Sequence, residues 1–300
     1  MDRDTHNYQQ AVAVLPGRLR RAALALPEEV QKRAEEIRLR SGQTMTVLGG
    51  GQEWDTGEPV SGEDLESLCN LATEFSRYAA VETLRQGYLS LRGGGRAGFC
   101  GSAVMKEGYC ANLKDFSSAA LRIPREVQGI GEELLPSLME NGTFCGTLIL
   151  APPGGGKTTL LRDLVRCLSS GGHGRSGLRV ALADERGEVA ALYQGQPQMD
   201  LGPRTDVLEG CPKAEAVTML LRAMNPQVVA VDEITAREDI LAMTMAANCG
   251  VALLATIHAA DTAELQRKPL YRELLKARVF SRAVVIRREG GERQYLMEEL

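Results

Sequence analysis

The chain has 300 residues, of which 44% are hydrophobic and 25% are charged, and its formal net charge is −4. This length and composition suit a soluble enzyme of one large or two ordinary domains. The negative charge and an aromatic content of only 4% argue against a nucleic-acid partner, because such proteins usually present a basic surface with stacking aromatic side chains.

The spacing of the cysteines and the sequence of the N-terminus indicate the cellular compartment in which the protein is expected. The seven cysteines include no Cys-x-x-Cys pair, so the sequence predicts neither a zinc site nor a disulfide framework. The chain opens with charged residues and has no uncharged apolar run of the kind that forms a secretory signal. We therefore expect a cytoplasmic protein.

The sequence pattern of residues 1–120 predicts a small α+β domain. Alternating apolar and charged residues are typical of half-buried strands, and Ser61 followed by Asp64 predicts a helix that starts with a capping box. The helix's apolar positions are Leu65, Leu68, Leu71 and Phe75. The expected elements are an amphipathic helical region over 1–28, strands from Glu35 and over Thr44–Leu48, and a strand pair Gly87–Arg92 and Arg96–Met105.

Residues 121–141 are expected to link this domain to a second one over 142–300. There the pattern alternates between apolar strands and helices, which is typical of an α/β domain with a mostly parallel sheet. The glycine-rich segment Gly171–Gly177 predicts a flexible loop that carries His173 and Arg175 at the surface. The expected strands are Thr147–Leu150, Leu178–Ala183, Gln227–Val231, Val251–Thr256, Ala283–Arg288 and Gln294–Met297, and the expected helices are Lys157–Ser169, Ala214–Met224 and Arg237–Asn248.

The run Ile240–Ile257 contains no charged residue and is about as long as a membrane span. Asn248 and Gly250 interrupt it, which favours a core helix followed by a buried strand. A membrane span is the alternative interpretation.

The most informative segment runs from Leu148 to Thr159, where an apolar strand breaks into glycines and ends in Lys-Thr before a helix. This order is typical of a phosphate-binding loop, in which backbone N–H groups cradle phosphates at a helix N-terminus. It predicts ATP and Mg²⁺ as ligands, with Lys157 at the β- and γ-phosphates and Thr158 on the metal. Ala151 replaces the usual first glycine, a position that needs only a small residue. The predicted nucleotide-binding residues are Pro153, Gly154, Gly155, Gly156, Lys157, Thr158 and Thr159.

A second signal is the apolar strand that ends in Asp232 and Glu233. Asp232 would hold magnesium and Glu233 would orient or deprotonate the attacking water, which favours hydrolysis over transfer to an acceptor. The alternative is that both acids only cap the helix that begins after Ala236.

Two further clusters follow predicted strands, where ligands lie in open α/β sheets. The acidic cluster Asp184, Glu185 and Glu188 is a candidate catalytic group, although it could be a solvated loop. Thr256 and His258 would place a hydroxyl and an imidazole beside the γ-phosphate, although a histidine on an apolar strand can also be a structural residue.

With these motifs in this order, the chain resembles the secretion ATPases of type II and type IV systems, including pilus retraction motors. The resemblance implies a RecA-like ATPase domain after a smaller N-terminal domain. It also implies a homo-hexamer that docks on the cytoplasmic face of a membrane channel or secretion complex. By the same resemblance, Arg96 and Arg122 would reach the nucleotide from the N-terminal domain. Otherwise, Arg96 would only line a glycine-rich hairpin and Arg122 would pair with an acid such as Glu126.

The chain departs from the family pattern at two places. The family usually has Gly where this chain has Asp232, and its acidic box reads Glu-Asp where this one reads Asp184-Glu185, so the roles of the individual acids stay open. Two runs, 184–190 and 204–213, resemble sporulation members of the family, which implies a motor for the channel between mother cell and forespore. The alternatives are a nucleotide-binding ring scaffold with little turnover and a RecA-like motor on single-stranded nucleic acid.

Overall fold

The computed structural model describes residues 3–74, 87–172, 174–289 and 292–300. The chain divides into two compact units, Met1–Glu126 with Ala191–Gln198, and Val127–Ala190 with Met199–Leu300. The segment Ala191–Gln198 thus comes from the second half of the sequence but belongs to the first unit. The sequence predictions for Phe75 and His173 fall outside the described residues.

The first unit contains an antiparallel sheet with strand order β3-β2-β1-β6-β5-β4. Its helices are α1 (Arg3–Ala13), α2 (Gly17–Leu24), α3 (Glu28–Arg33) and α4 (Gly62–Ala72). Its strands are β1 (Glu36–Arg40), β2 (Thr44–Gly49), β3 (Gln52–Pro59), β4 (Tyr88–Ser90), β5 (Arg96–Lys106) and β6 (Tyr109–Arg122).

Local chemistry explains where α4 begins. The Ser61 hydroxyl accepts the Asp64 N–H at 3.1 Å, and the Asp64 carboxylate accepts the Ser61 N–H at 2.8 Å, so the predicted capping box is present. Leu65 and Leu68 on this helix are fully buried in the core of the unit. The long strand β6 was not predicted, because many of its positions are polar and exposed.

The second unit contains a sheet of strand order β9-β8-β10-β11-β7-β12-β13. The strands are parallel except for the last pair, which is antiparallel. The strands are β7 (Thr147–Ala151), β8 (Val180–Asp184), β9 (Thr205–Glu209), β10 (Val228–Val231), β11 (Ala252–His258), β12 (Arg282–Glu289) and β13 (Glu292–Glu299). The helices are α5 (Ile130–Leu134), α6 (Lys157–Ser170), α7 (Lys213–Met224), α8 (Arg237–Asn248), α9 (Thr262–Arg267) and α10 (Pro269–Ala277).

Helices cover both faces of this sheet. Leu148 and Leu150 on β7 belong to an apolar cluster with α7, α8 and α10, whereas α6 packs against β7, β8 and β11 outside that cluster. Strands β7, β8 and β10 are buried at every position, as expected for parallel strands between two helical layers. The predicted α/β fold with a mostly parallel sheet is confirmed.

The uncharged run Ile240–Ile257 divides into the end of α8 and most of strand β11, as the favoured interpretation predicted. Among the described residues, no helix is both long and apolar enough to cross a membrane. In the segment predicted as a flexible loop, Gly171–Gly172 pairs with Arg175–Ser176 as a short antiparallel ladder. Sequence analysis also missed β9, whose five residues are all only partly buried.

Candidate active site

The glycine-rich loop lies between β7 and α6, at the carboxyl end of the central strands. Gly154 and Gly156 have φ values of 71° and 102°, a region that L side chains rarely adopt. Gly156 directly precedes α6, so the loop leads into a helix N-terminus. The first N–H groups of a helix have no partner within the helix and can bind an anion. Pro153 lies in this loop and Thr159 in the first turn of α6.

The packing under the loop explains the residue at position 151. A Cβ atom at Gly155 would lie 2.6 Å from Ala151 Cβ and 2.9 Å from the Pro152 carbonyl oxygen. Ala151 is fully buried, so a larger side chain there would crowd the loop from below. Both positions therefore require small residues.

Lys157 is held in the loop by two contacts. Its Nζ donates to the Pro152 carbonyl oxygen at 3.3 Å and lies 2.7 Å from His258 Nδ1. Burial lowers the pKa of Lys157, and the nearby charges of Asp232 and Glu233 act in the opposite direction. The amino group is thus oriented toward the acidic side of the loop.

Asp232 is the centre of a hydroxyl-carboxylate cluster. Thr158 Oγ1 donates to Asp232 Oδ2 at 3.0 Å, and Thr256 Oγ1 donates to Asp232 Oδ1 at 2.7 Å. Burial raises the pKa of Asp232, and the negative charges of Glu188 and Glu233 raise it further. A carboxylate that is largely withdrawn from water next to other carboxylates calls for a cation. The Thr158 hydroxyl and the Asp232 carboxylate fit Mg²⁺, which prefers oxygen ligands and keeps several waters.

Glu233 follows Asp232 in a strained conformation. Its φ is 56°, in the left-handed region, which costs a non-glycine residue about 1–3 kcal/mol. Its N–H donates to Thr256 Oγ1 at 2.9 Å, while its carboxylate lies 3.1 Å from His258 Nε2 and 3.0 Å from Arg186 Nη1. The strain and these contacts fix the direction of the carboxylate beside the phosphate loop.

The capping alternative for Asp232 and Glu233 does not fit the start of α8. Asp239 accepts the N–H groups of Thr235 and Ala236 at 2.9 and 3.0 Å. The helix therefore has its own capping carboxylate, and the two acids point to other partners.

The acidic cluster after β8 separates into three environments. The Asp184 carboxylate accepts the N–H groups of Glu188, Val189 and Ala190 at 2.9, 3.0 and 2.8 Å, so it shapes its own loop. Burial raises its pKa, and these hydrogen bonds lower it in part. Glu185 pairs with the buried Lys213.

Two of these acids interact electrostatically with Asp232: the charge of Glu188 raises the pKa of Asp232, and the charge of Asp232 raises the pKa of Asp184. The solvated-loop alternative does not describe Asp184, which is 1% exposed.

Arg96 and Arg122 lie directly opposite each other on β5 and β6 of the first unit. The Arg96 guanidinium stacks 4.9 Å from the centroid of the Tyr88 ring, and Arg122 Nε lies 3.7 Å from Glu36 Oε2. The Arg122 side chain is 71% exposed, so it is available to a ligand or another subunit.

Several residues near the loop were not singled out from the sequence. Arg186 contacts Glu233, and Arg288 near the end of β12 and Arg293 near the start of β13 lie next to the phosphate loop. Arg186 was detectable, since it lies inside the acidic cluster. The other two depend on which strand lies beside β7, and no local pattern reveals that pairing.

Similar folds are found among secretion ATPases. The ATPase DotB of Legionella pneumophila superposes with a TM-score of 0.58 at 17% identity, covering 94% of this chain and 78% of that chain. The pilus retraction motor PilT with bound ADP superposes with a TM-score of 0.60 at 16% identity, covering 89% of this chain and 79% of that chain. At such low identity these matches show the fold alone.

Sequence relatives show the family. Stage III sporulation protein AA of Bacillus subtilis (strain 168) is 36% identical over 278 residues, which span 93% of this chain and 90% of the relative. The uncharacterized protein ycf45 of Cyanidium caldarium is 27% identical over 151 residues, 49% of this chain and 42% of the relative. The profile of the family "Sporulation stage III, protein AA" matches residues 5–296. The chain therefore belongs to the sporulation stage III protein AA family and has the fold of the secretion ATPases.

Proposed function

We propose that this protein is an ATP-hydrolysing motor of the secretion ATPase type. One observation carries the proposal: a continuous set of contacts joins the loop lysine and threonine to the strand-end acids and His258. Each group needed for phosphate binding, metal binding and water activation is present within this set. A fold shared with DotB and PilT supports the same function.

The residues divide the chemical work. The loop N–H groups and Lys157 bind the phosphates, and Thr158 and Asp232 hold Mg²⁺, which offsets the negative charge of the phosphates. Glu233 accepts a proton from the attacking water or orients it. His258 lies between Lys157 and Glu233. A shift of Lys157 when phosphate binds can therefore move the Glu233 carboxylate through the imidazole.

The contacts of His258 indicate its tautomer. Nδ1 faces the Lys157 ammonium, and Nε2 faces the Glu233 carboxylate. A neutral ring with the proton on Nε2 satisfies both partners, since Nδ1 then accepts and Nε2 donates.

We further propose that the protein works as a homo-hexamer on the cytoplasmic face of a membrane channel or secretion complex during sporulation. Membership of a sporulation family and the likeness to secretion ATPases support this assignment. Arg96 and Arg122 would then act on the nucleotide across a domain or subunit boundary. Sedimentation with and without ATP tests the ring: ATP-dependent hexamers support it, and a monomer under both conditions contradicts it.

Calorimetric titration of ATP in the presence of Mg²⁺ tests the nucleotide site. Lys157→Ala should weaken binding, because it removes the cation at the phosphates. Lys276→Ala is the matched control, since Lys276 is exposed at the end of α10 and distant in sequence from the loop. No binding by the wild type, or equal affinity in Lys157→Ala, would contradict the proposed site.

A further inference from the structure

The hairpin β12–β13 runs beside the phosphate loop. Strand β12 pairs in parallel with β7, from Arg282 opposite Thr147 to Val285 opposite Leu150. Strand β7 ends at Ala151 and gives way to the loop, whereas β12 continues to Glu289. The end of β12 is therefore level with the loop.

A cleft of about 430 Å³ lies between these two segments. Its lining includes Gly154 and Gly155 of the loop, Asp261, and Arg287 and Arg288 of β12. Asp261 already accepts the Glu264 N–H at 2.8 Å as the cap of α9, so its charge is partly offset there. The exposed cationic side chains of this cleft, Arg287 and Arg288, lie on β12.

Arg288 and Arg293 are directly opposite each other in the hairpin, so their side chains share one face. Two like charges in this arrangement repel each other. Neither guanidinium forms an ion pair with a carboxylate in the described part of the chain. Arg282, at the other end of β12, pairs with Glu299 at 2.6 Å. The arginine pair beside the loop thus lacks the counter-charge that its strand neighbour has.

Arg293 also reaches the loop itself. A Cβ atom at Gly156 would lie 3.0 Å from Arg293 Nε and 3.2 Å from Arg293 Cζ. A side chain at position 156 would therefore push against the Arg293 guanidinium. The arginine therefore sits against the backbone that opens α6, where phosphate oxygens bind.

The two sides of the loop present different side chains. Strands β10 and β11, on one side of β7, supply Asp232, Glu233 and His258, while β12 and β13 lie on the other side. Carboxylates suit the metal and the attacking water, whereas guanidinium groups suit phosphate oxygens, which they can bind in pairs. An anion between two opposed arginines would also relieve their repulsion.

We propose that Arg288 and Arg293 bind phosphate oxygens of the nucleotide, on the side of the loop away from Asp232 and Glu233. This assignment rests on the proposed nucleotide site. It gives the C-terminal hairpin a direct binding role within the same subunit, in addition to any arginine from the N-terminal unit.

Titration of ATP and of inorganic tripolyphosphate into the full chain tests this proposal. The double variant Arg288→Ala/Arg293→Ala should bind both ligands about 100-fold more weakly, near tenfold for each charge-assisted contact removed. The double lysine variant keeps both charges and should lose less. Arg282→Ala is the control on the same strand and should match the wild type.

The outcomes separate the two claims. A wild type that binds neither ligand overturns the nucleotide site as well as the arginine assignment. A wild type that binds both, with equal affinity in the double alanine variant, overturns the arginine assignment alone. Loss of ATP affinity without loss of tripolyphosphate affinity also overturns it, because the arginines would then contact the nucleoside. As a folding check, tripolyphosphate should raise the melting temperature of the wild type more than that of the double alanine variant.

Discussion

Lys157 Nζ lies 2.7 Å from His258 Nδ1, so the loop lysine and the strand-end histidine are in direct contact. The same imidazole lies 3.1 Å from the Glu233 carboxylate. Under the proposed function, a phosphate bound at Lys157 would displace or rearrange the first contact, and the second contact would transmit that change to Glu233. We therefore expect His258 to couple phosphate binding to water activation.

Replacing His258 tests this coupling. His258→Ala should leave ATP affinity within about an order of magnitude of wild type, because it removes one contact and no charge from the phosphates. Turnover should fall by about 10- to 100-fold, less than the ~10²–10⁴-fold typical of a lost acid-base group. His258→Gln, which keeps a hydrogen-bonding side chain, should recover part of the rate. If the alanine variant instead loses affinity and unfolds at a lower temperature, His258 is a structural residue.

Asp184 should matter for stability more than for chemistry. Asp184→Ala leaves three N–H groups without their acceptor, so the free energy of unfolding should fall by about 2–3 kcal/mol at pH 7. Urea unfolding measures this loss. A variant as stable as wild type would show that the loop does not depend on this carboxylate.

The pH dependence of that loss has a defined sign. Burial holds the pKa of Asp184 above its ordinary value, so the folded state favours the protonated form. The free energy of unfolding of the wild type therefore decreases as the pH rises from the ordinary carboxyl pKa through the pKa of Asp184 in the folded state. The difference between wild type and Asp184→Ala should widen as the pH is lowered from 7 toward the ordinary carboxyl range.

The arginines of the N-terminal unit are expected to act on the nucleotide of a neighbouring subunit or after domain closure. An added arginine accelerates phosphoryl cleavage by ~10³–10⁵-fold in other phosphate-loop enzymes, so Arg122→Ala and Lys157→Ala should each be slow alone. Mixing the two variants should restore part of the ATP hydrolysis, because some sites then combine an intact Lys157 with an intact Arg122. Full activity in Arg122→Ala and in Arg96→Ala would contradict this role.

The motifs with a fixed local pattern could be predicted from the sequence. The glycine-rich turn between β7 and α6, the capping box at Ser61 and the alternation of most strands and helices after residue 142 depend on neighbouring residues in the chain. Strand β9 and the short helices α9 and α10 were not predicted. The split of Ile240–Ile257 into helix and strand was also predictable, because Asn248 and Gly250 mark the break.

Features that depend on distant pairing could not be predicted. Nothing local shows that β12 lies beside β7, yet this pairing brings Arg288 to the phosphate loop. Segment Ala191–Gln198 belongs to the first unit, where Gln198 Oε1 accepts the Gly93 N–H at 2.8 Å across 105 residues of sequence. The three acids after β8 look alike in sequence, and only their partners in the fold distinguish them.

ATP hydrolysis can be measured as phosphate release by the full chain with ATP and Mg²⁺, comparing wild type with Glu233→Gln. The control is Glu238→Gln, which changes an exposed glutamate on α8. We expect turnover by wild type and by Glu238→Gln, and a ~10²–10⁴-fold lower rate in Glu233→Gln with ATP still bound. Equal rates in Glu233→Gln and wild type, or ATP binding without turnover in the wild type, would contradict this expectation.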